Sequence, residues 1–155
     1  LGLPVVTPVM AWVEPMGWTY RQGLVTETRE DGVDLLAIKE LDRAMLVQLV
    51  EQLEAFFDAG LVHPDLNIKN ILWVRGEEQF CLLDFDKAKR RKQPLTVNAR
   101  ATTYRRMFRS FDKMGRLDDW SGFDWATVPH HVEKAYRQYF KVRGFRAFLW
   151  KLNRK

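Results

Sequence analysis

Apolar residues recur every three to four positions from Met45 to Phe57: Met45, Leu46, Leu49, Val50, Leu53, Phe56 and Phe57. That period predicts an amphipathic helix with one face turned to a core. Asp42 stands where an N-cap belongs, Leu41 can staple onto Leu46, and Gly60 supplies the C′ stop. A second helix is expected over about 97–114, with Tyr104, Met107, Phe108 and Phe111 on one face and Arg105, Arg106, Arg109 and Lys113 on the other. Gly115 closes it. A third is expected to start at an Asp124 cap, bury Val128, Val132, Ala135, Tyr136, Tyr139 and Phe140, tolerate Pro129 in its first turn, and end at Gly144. Shorter alternating runs predict strands. One lies near 9–13 and pairs as a hairpin with Trp18–Thr26 around a turn at Glu14–Gly17. Two more, Ile71–Val74 and Phe80–Leu83, flank a turn at Arg75–Glu78. Asp34–Ile38 is expected to make a short helix. Glu27–Asp31 is a polar connector leaving the first sheet, and Leu117–Asp124 is a loop. The class is α+β.

Composition narrows the picture in three places. No apolar run approaches the roughly 20 residues needed to cross a bilayer, and Leu1–Val13 has no basic start and carries two prolines, unlike a signal peptide. One cysteine, Cys81, excludes an intrachain disulfide and points to a reducing compartment. Within its apolar run it reads as a small buried hydrophobe. Three scattered histidines with that cysteine do not form a zinc pattern. Charge is uneven: of a net +5, eleven Lys/Arg against the single acid Asp112 fall between Lys87 and Arg116. Such a concentration predicts an anionic partner, whether nucleic acid, a phosphorylated substrate or a membrane surface.

The candidate chemistry lies between the first two helices. His63-Pro64-Asp65-Leu66-Asn67-Ile68-Lys69-Asn70 is followed, after one predicted hairpin, by Leu82-Leu83-Asp84-Phe85-Asp86. H-x-D-L-x-x-x-N, a hairpin and D-F-x make the catalytic pattern of protein-kinase-like phosphotransferases. The spacing has a mechanical reason. Phosphoryl transfer needs an oriented hydroxyl that loses its proton, and Asp65 suits the base. Mg²⁺ takes hard oxygen ligands, which Asn70 and Asp84 supply. The hairpin returns Asp84 beside Asn70. Asn67 is placed to reach the transferred phosphate or the attacking hydroxyl. His63 is expected to pack near Phe85 and hydrogen-bond backbone, Asp86 to form a salt bridge in preference to joining the magnesium site, and Lys69 to be solvated.

On these residues the chain resembles the bacterial lipopolysaccharide-core kinases, above all those acting on 3-deoxy-D-manno-octulosonic acid (Kdo). The likeness extends to Leu3-Pro4-Val5, Pro8-Val9-Met10-Ala11, Tyr20-Arg21, Leu24 and Thr26, and to the basic stretch, so it runs from residue 1 to at least 115. The resemblance implies a protein-kinase-like fold. Residues 1–26 would be a remnant of the N-lobe strands, and 27–155 a hinge and a mainly helical C-lobe, with most of the N-lobe absent. It implies an ATP- and Mg²⁺-dependent enzyme that phosphorylates the 4-hydroxyl of Kdo on lipid A at the cytoplasmic face of the inner membrane. Asp65 would be the base, Asn70 and Asp84 the metal ligands, and Glu27 and Thr28 the hinge facing adenine. Lys89, Arg90, Arg105, Arg109 and Lys113 would meet the acidic sugar and its lipid-borne phosphates. Phe145, Phe148 and Trp150 with Arg146, Lys151 and Arg154 read either as an interfacial tail or as a helix packed on the lobe.

The chain departs from protein kinases at Pro64, where they carry Arg, and at Asp86, where they carry Gly. Both departures argue against a protein substrate. No Gly-rich loop and no strand Lys with a helix Glu are found; Lys39 is the only lysine before Lys69. The chain therefore reads as a fragment with little activity alone, from an active parent. Alternatives are a heptose or other small-molecule kinase, and a non-catalytic kinase-like module holding anionic lipid. No RNA-binding motif accompanies the charge, so nucleic acid is not the expected partner.

Overall fold

A computed structural model describes residues 4–152, with side chains to residue 144. The aromatic and basic side chains from Phe145 onward, singled out above, lie outside the described residues. Strands β1 (Pro8–Met16) and β2 (Thr19–Thr26) form an antiparallel hairpin. Its turn is tighter than expected: β1 runs on through Pro15, and Gly17 and Trp18 alone make the reversal. Gly17 has φ +63°, and glycine at the first central position is what a two-residue hairpin turn selects. Pro15 is tolerated because both strands of a two-stranded ribbon are edges. Opposite Trp12, a Cβ on Gly23 would come within 2.5 Å of the indole, so only glycine lets the ring lie across the ribbon.

β3 (Gly32–Asp34), β5 (Ile71–Val74) and β6 (Gln79–Leu82) make a three-stranded antiparallel sheet in the order β3-β5-β6. A one-residue parallel bridge from Val5 to Leu82, with Leu82 N–H donating to Pro4 O at 3.2 Å, ties the chain before β1 to this sheet. β4 (Leu61–Val62) pairs with β7 (Lys89–Arg90). β3, β4 and β7 escape sequence reading because two or three residues carry no period. Asp34 does cap a single helical turn, at Leu35–Ala37.

The helices hold the core. In α1 (Arg43–Asp58) the Asp42 carboxylate accepts from Met45 N–H at 2.8 Å, and Gly60 takes the left-handed conformation after the last turn. α2 (Val97–Lys113) is capped by Thr96. α3 (His130–Leu152) begins one residue after Pro129, whose missing N–H costs nothing there. Three expectations for α3 fail. Asp124 caps a separate turn at Trp125–Thr127, accepting from Ala126 N–H at 3.1 Å. The helix continues through Gly144 instead of ending there, because one glycine lowers helix propensity without forbidding the conformation. Phe140, expected inside, is 39% exposed. Leu46, Leu49, Val50, Leu53, Phe56 and Phe57 of α1 meet Tyr104, Met107, Phe108 and Phe111 of α2 and Val132 and Ala135 of α3 in one buried cluster. Trp120, from the segment expected to be a loop, sits inside it, edge-on to Phe108 and Phe111. Among the described residues no helix is long and apolar enough to cross a membrane.

Candidate active site

The 63–70 loop leaves β4 and closes in a short turn at Ile68–Asn70. Its own side chains hold it. Asn67 Oδ1 accepts from Lys69 N–H at 2.9 Å, and Asn67 Nδ2 donates to Asp65 O at 3.0 Å. Asn70 Nδ2 donates to the same carbonyl at 2.9 Å. Asparagines here do what short polar side chains do in turns, standing in for backbone partners. Leu66 and Ile68 anchor the loop in the core. α2 braces it from outside. Ser110 Oγ accepts from Ile68 N–H at 3.1 Å, and Arg106 donates to Pro64 O at 3.3 Å. Neither brace was foreseen. The signal was present in the i, i+4 spacing of Arg106 and Ser110, which puts both on one helix face.

The same loop fixes the Asp84 segment. Leu83 N–H donates to Asn70 O at 2.9 Å, and His63 Nε2 donates to Leu83 O at 2.8 Å. The buried His63 ring lies 5.1 Å from that of Phe85. This is the packing and backbone role expected for it. Both backbone groups of Leu83 are thus held by the 63–70 loop, and Asp84 follows with φ +60°, left-handed backbone that few L-residues adopt. Asp65 and Asp84 are exposed. Neither carboxylate is in an ion pair or side-chain hydrogen bond among the described residues. Asn70, its Nδ2 engaged by Asp65 O, has Oδ1 free of such partners. An amide oxygen and a carboxylate are the donor types that Mg²⁺ takes, commonly one or two from protein together with substrate phosphates and water.

Asp65 and Asn67 open onto a cleft of about 460 Å³ between the loop and α2, also lined by Lys69, Arg106, Arg109 and Lys113. Of the residues expected to meet the acceptor, Arg109 and Lys113 line the same cleft as Asp65. Lys69, read as merely solvated, joins them. Arg105 instead turns toward α3, donating to Gln138 Oε1 at 3.2 Å and to Thr102 Oγ1 at 2.9 Å. Lys89 and Arg90 are exposed in β7 and do not line the cleft. Glu27 and Thr28 lie exposed in the connector after β2. The Glu27 N–H closes the hairpin on Thr7 O at 2.9 Å and so is not a free donor. Asp86, expected in a salt bridge, is in none among the described residues. Cys81 is buried as expected, and burial pushes its thiol up.

Comparison with known proteins bears on this arrangement. The sequence model of the lipopolysaccharide kinase (Kdo/WaaP) family matches residues 1–132. The chain belongs to that family. Within the lipopolysaccharide kinases it is 29% identical over 132 residues to the 3-deoxy-D-manno-octulosonic acid kinase of Vibrio parahaemolyticus serotype O3:K6, covering 82% of this chain and 54% of that protein. It is 30% identical over 89 residues to the protein of the same name from Vibrio cholerae serotype O1, covering 56% and 37%. The chain thus spans about half the length of the first of these relatives and less of the second. The match takes in the 63–70 loop, Asp84 and α2, all within the part that the family model covers.

Proposed function

We propose that this chain carries the phosphoryl-transfer half of an ATP-dependent kinase that phosphorylates the 4-hydroxyl of Kdo in the lipopolysaccharide inner core, on a protein-kinase-like lobe. The observation that carries the reading is the double tie through Leu83. It sets Asp84 beside the loop that presents Asp65 and Asn70, so base and metal ligands belong to one rigid unit. Kdo-lipid A is the proposed acceptor, and a peripheral position at the cytoplasmic face of the inner membrane follows from a lipid-borne substrate.

In this reading Asp65 accepts a hydrogen bond from the acceptor hydroxyl, aims its oxygen at the γ-phosphorus of ATP, and takes its proton as the new P–O bond forms and the bond from the γ-phosphorus to the β–γ bridging oxygen breaks, releasing ADP. Asn67 and Asn70 position Asp65 by holding its carbonyl. Asn70 Oδ1 and the Asp84 carboxylate would hold Mg²⁺. Held there, the ion would supply compensation for the negative charge that develops on the phosphate during transfer.

The test offers the intact protein ATP, Mg²⁺, Kdo-lipid A and a heptosylated core together, and locates new phosphate by mass spectrometry and NMR. Phosphate on the Kdo 4-hydroxyl is expected, with Asp65→Ala lowering kcat by about 10²–10⁴-fold. Phosphate on heptose alone would transfer the reading to the other branch of the family. Unchanged turnover in Asp65→Ala would remove Asp65 as the base.

A further inference from the structure

We propose that the cleft between the 63–70 loop and α2 is a subsite for an anionic group on the acceptor, held by Arg109 and Lys113. The proposal rests on the phosphoryl-transfer reading of Asp65 and names what that reading leaves open, the feature by which the acceptor is chosen.

The arginines on and around α2 are used in different ways. Arg100 is half-buried and bridges Glu54 and Asp58, both at 2.6 Å. Arg105 is engaged by Gln138 and Thr102. Arg116 binds Asp119 and the carbonyls of Leu35 and Ile38. Each has a structural partner. Arg109 and Lys113 have none among the described hydrogen bonds and ion pairs, and both line the cleft beside Asp65. They stand one helical turn apart, where like charges repel. A single carboxylate, Asp65, is among the residues that line the cleft, and it is not paired with either cation. Uncompensated positive charge gathered in a concave site attracts an anion more strongly than the same charge spread over a convex surface.

Position decides which anion. The subsite adjoins the base, so the anionic group must lie close to the reacting hydroxyl. Kdo carries its carboxylate at C2 and the 4-hydroxyl on the same ring, whereas lipid A phosphates lie on other sugars. An Arg–Lys pair takes carboxylate or phosphate by the same charge-assisted hydrogen bonds. The ring carboxylate is the source that fits.

The test uses the intact protein with Arg109→Gln and Lys113→Gln combined. Both residues are exposed, so the fold is expected to survive, which circular dichroism checks. At saturating ATP, KM for Kdo-lipid A should rise about tenfold or more, while kcat and KM for ATP stay within about twofold. Arg75→Gln, in the β5–β6 turn, removes one of the same charges elsewhere and should change neither constant. An unchanged acceptor KM in the double variant, or a rise in KM for ATP instead, overturns the subsite. A second arm does not need turnover. Binding of the methyl glycoside of Kdo, of its carboxyl methyl ester, and of inorganic phosphate is followed by NMR. Loss of glycoside binding on esterification, and equally in the double variant, supports the carboxylate. Phosphate binding that depends on the two residues while glycoside binding does not would support the subsite and assign it to lipid A phosphate. Independence of both from Arg109 and Lys113 overturns it. If the wild type binds the glycoside through these residues yet phosphorylates no Kdo, the kinase reading falls and the subsite stands. If it phosphorylates Kdo and the variant's KM is unchanged, the reverse holds.

Discussion

Asp84, with φ +60°, stands in backbone geometry that costs an L-residue roughly 1–2 kcal/mol; among the described residues one other non-glycine has positive φ, Glu78 in the β5–β6 turn at +47°. Asp bears the left-handed region better than most side chains, but glycine bears it best. The strain is held in place from one residue upstream, where Asn70 O and His63 Nε2 take both polar groups of Leu83. A residue kept in strained backbone, one position after a residue bonded to the loop that carries Asp65, points to function rather than stability. Stability and activity should therefore separate at this position. Asp84→Gly is expected to hold stability or raise it by up to about 1 kcal/mol, since relief of strain outweighs the glycine's unfolded-chain entropy. Phosphoryl transfer should be lost, and Asp84→Ala should be less stable than Asp84→Gly. Denaturant unfolding of the three proteins, with transfer assayed alongside, checks the order. Marked destabilisation in Asp84→Gly would show that the Asp84 side chain, and not its chemistry, is what the fold requires.

At the scale of elements, polar contacts pin the helices to one another after apolar faces bring them together. Glu54 of α1 accepts from Tyr104 and Arg100 of α2, at 2.8 and 2.6 Å, and meets His131 Nε2 of α3 at 2.9 Å. Tyr139 of α3 donates to Asp112 of α2 at 2.6 Å. Burial, then that hydrogen bond, pushes the Tyr139 hydroxyl up to about 12. The folded chain then holds this proton more tightly than the unfolded one, whose value is near 10. The contribution to stability is whole below pH 10 and is lost as pH rises from 10 toward about 12. Tyr139→Phe should be less stable than the wild type by about 1 kcal/mol near neutrality, with the gap narrowing through that alkaline range in denaturant titrations. A gap that stays constant would mean that the hydroxyl does not hold its proton through Asp112. None of these ties was legible in the sequence, because each joins residues 27 to 77 positions apart and no period marks them. What was legible was whatever a local rule governs: the α1 stripe with its Asp42 cap and Gly60 stop, the β5–β6 hairpin, and the kinase-like spacing of Asp65, Asn70 and Asp84. The charge of the basic stretch predicts an anionic partner, and the resemblance would have Lys89, Arg90, Arg105, Arg109 and Lys113 all meet the acceptor. The structure divides the stretch, since Arg100, Arg105 and Arg116 find protein partners while Arg109 and Lys113 face the cleft. Charge pattern reports the presence of cations, and only three-dimensional pairing reports which of them are free.

For the molecule as a whole, stability is unevenly shared between the helical core and the β1–β2 ribbon. Every residue of β1 is exposed, and so is all of β2 except Gly23 and Thr26. Val9, Val13, Tyr20 and Leu24 are each more than half exposed, and Trp18 at the tip wholly so. Alternation correctly placed strands here, but alternation identifies apolar positions without telling whether anything covers them. A two-stranded ribbon that buries this little is marginal by itself. Its attachment is at the root, where Glu27 N–H meets Thr7 O and where Val5 and Pro4 join Leu82, two residues before Asp84. Opening of the ribbon should therefore cost far less than global unfolding, while the root stays with the core. Native-state hydrogen exchange reads this directly. Amides in the middle of β1 and β2 are expected to exchange at least about three orders of magnitude faster than those of Leu49, Val50 and Leu53 in α1. Leu82 and Leu83, bonded to Pro4 O and Asn70 O, should follow the core, so the Asp84 segment stays ordered while the ribbon opens. Ribbon amides as protected as those of α1 would contradict this division and require that the apolar ribbon be covered in solution. Fast exchange at Leu83 would break the link between the ribbon's root and a rigid site, and with it the view that Asp65, Asn70 and Asp84 move as one unit.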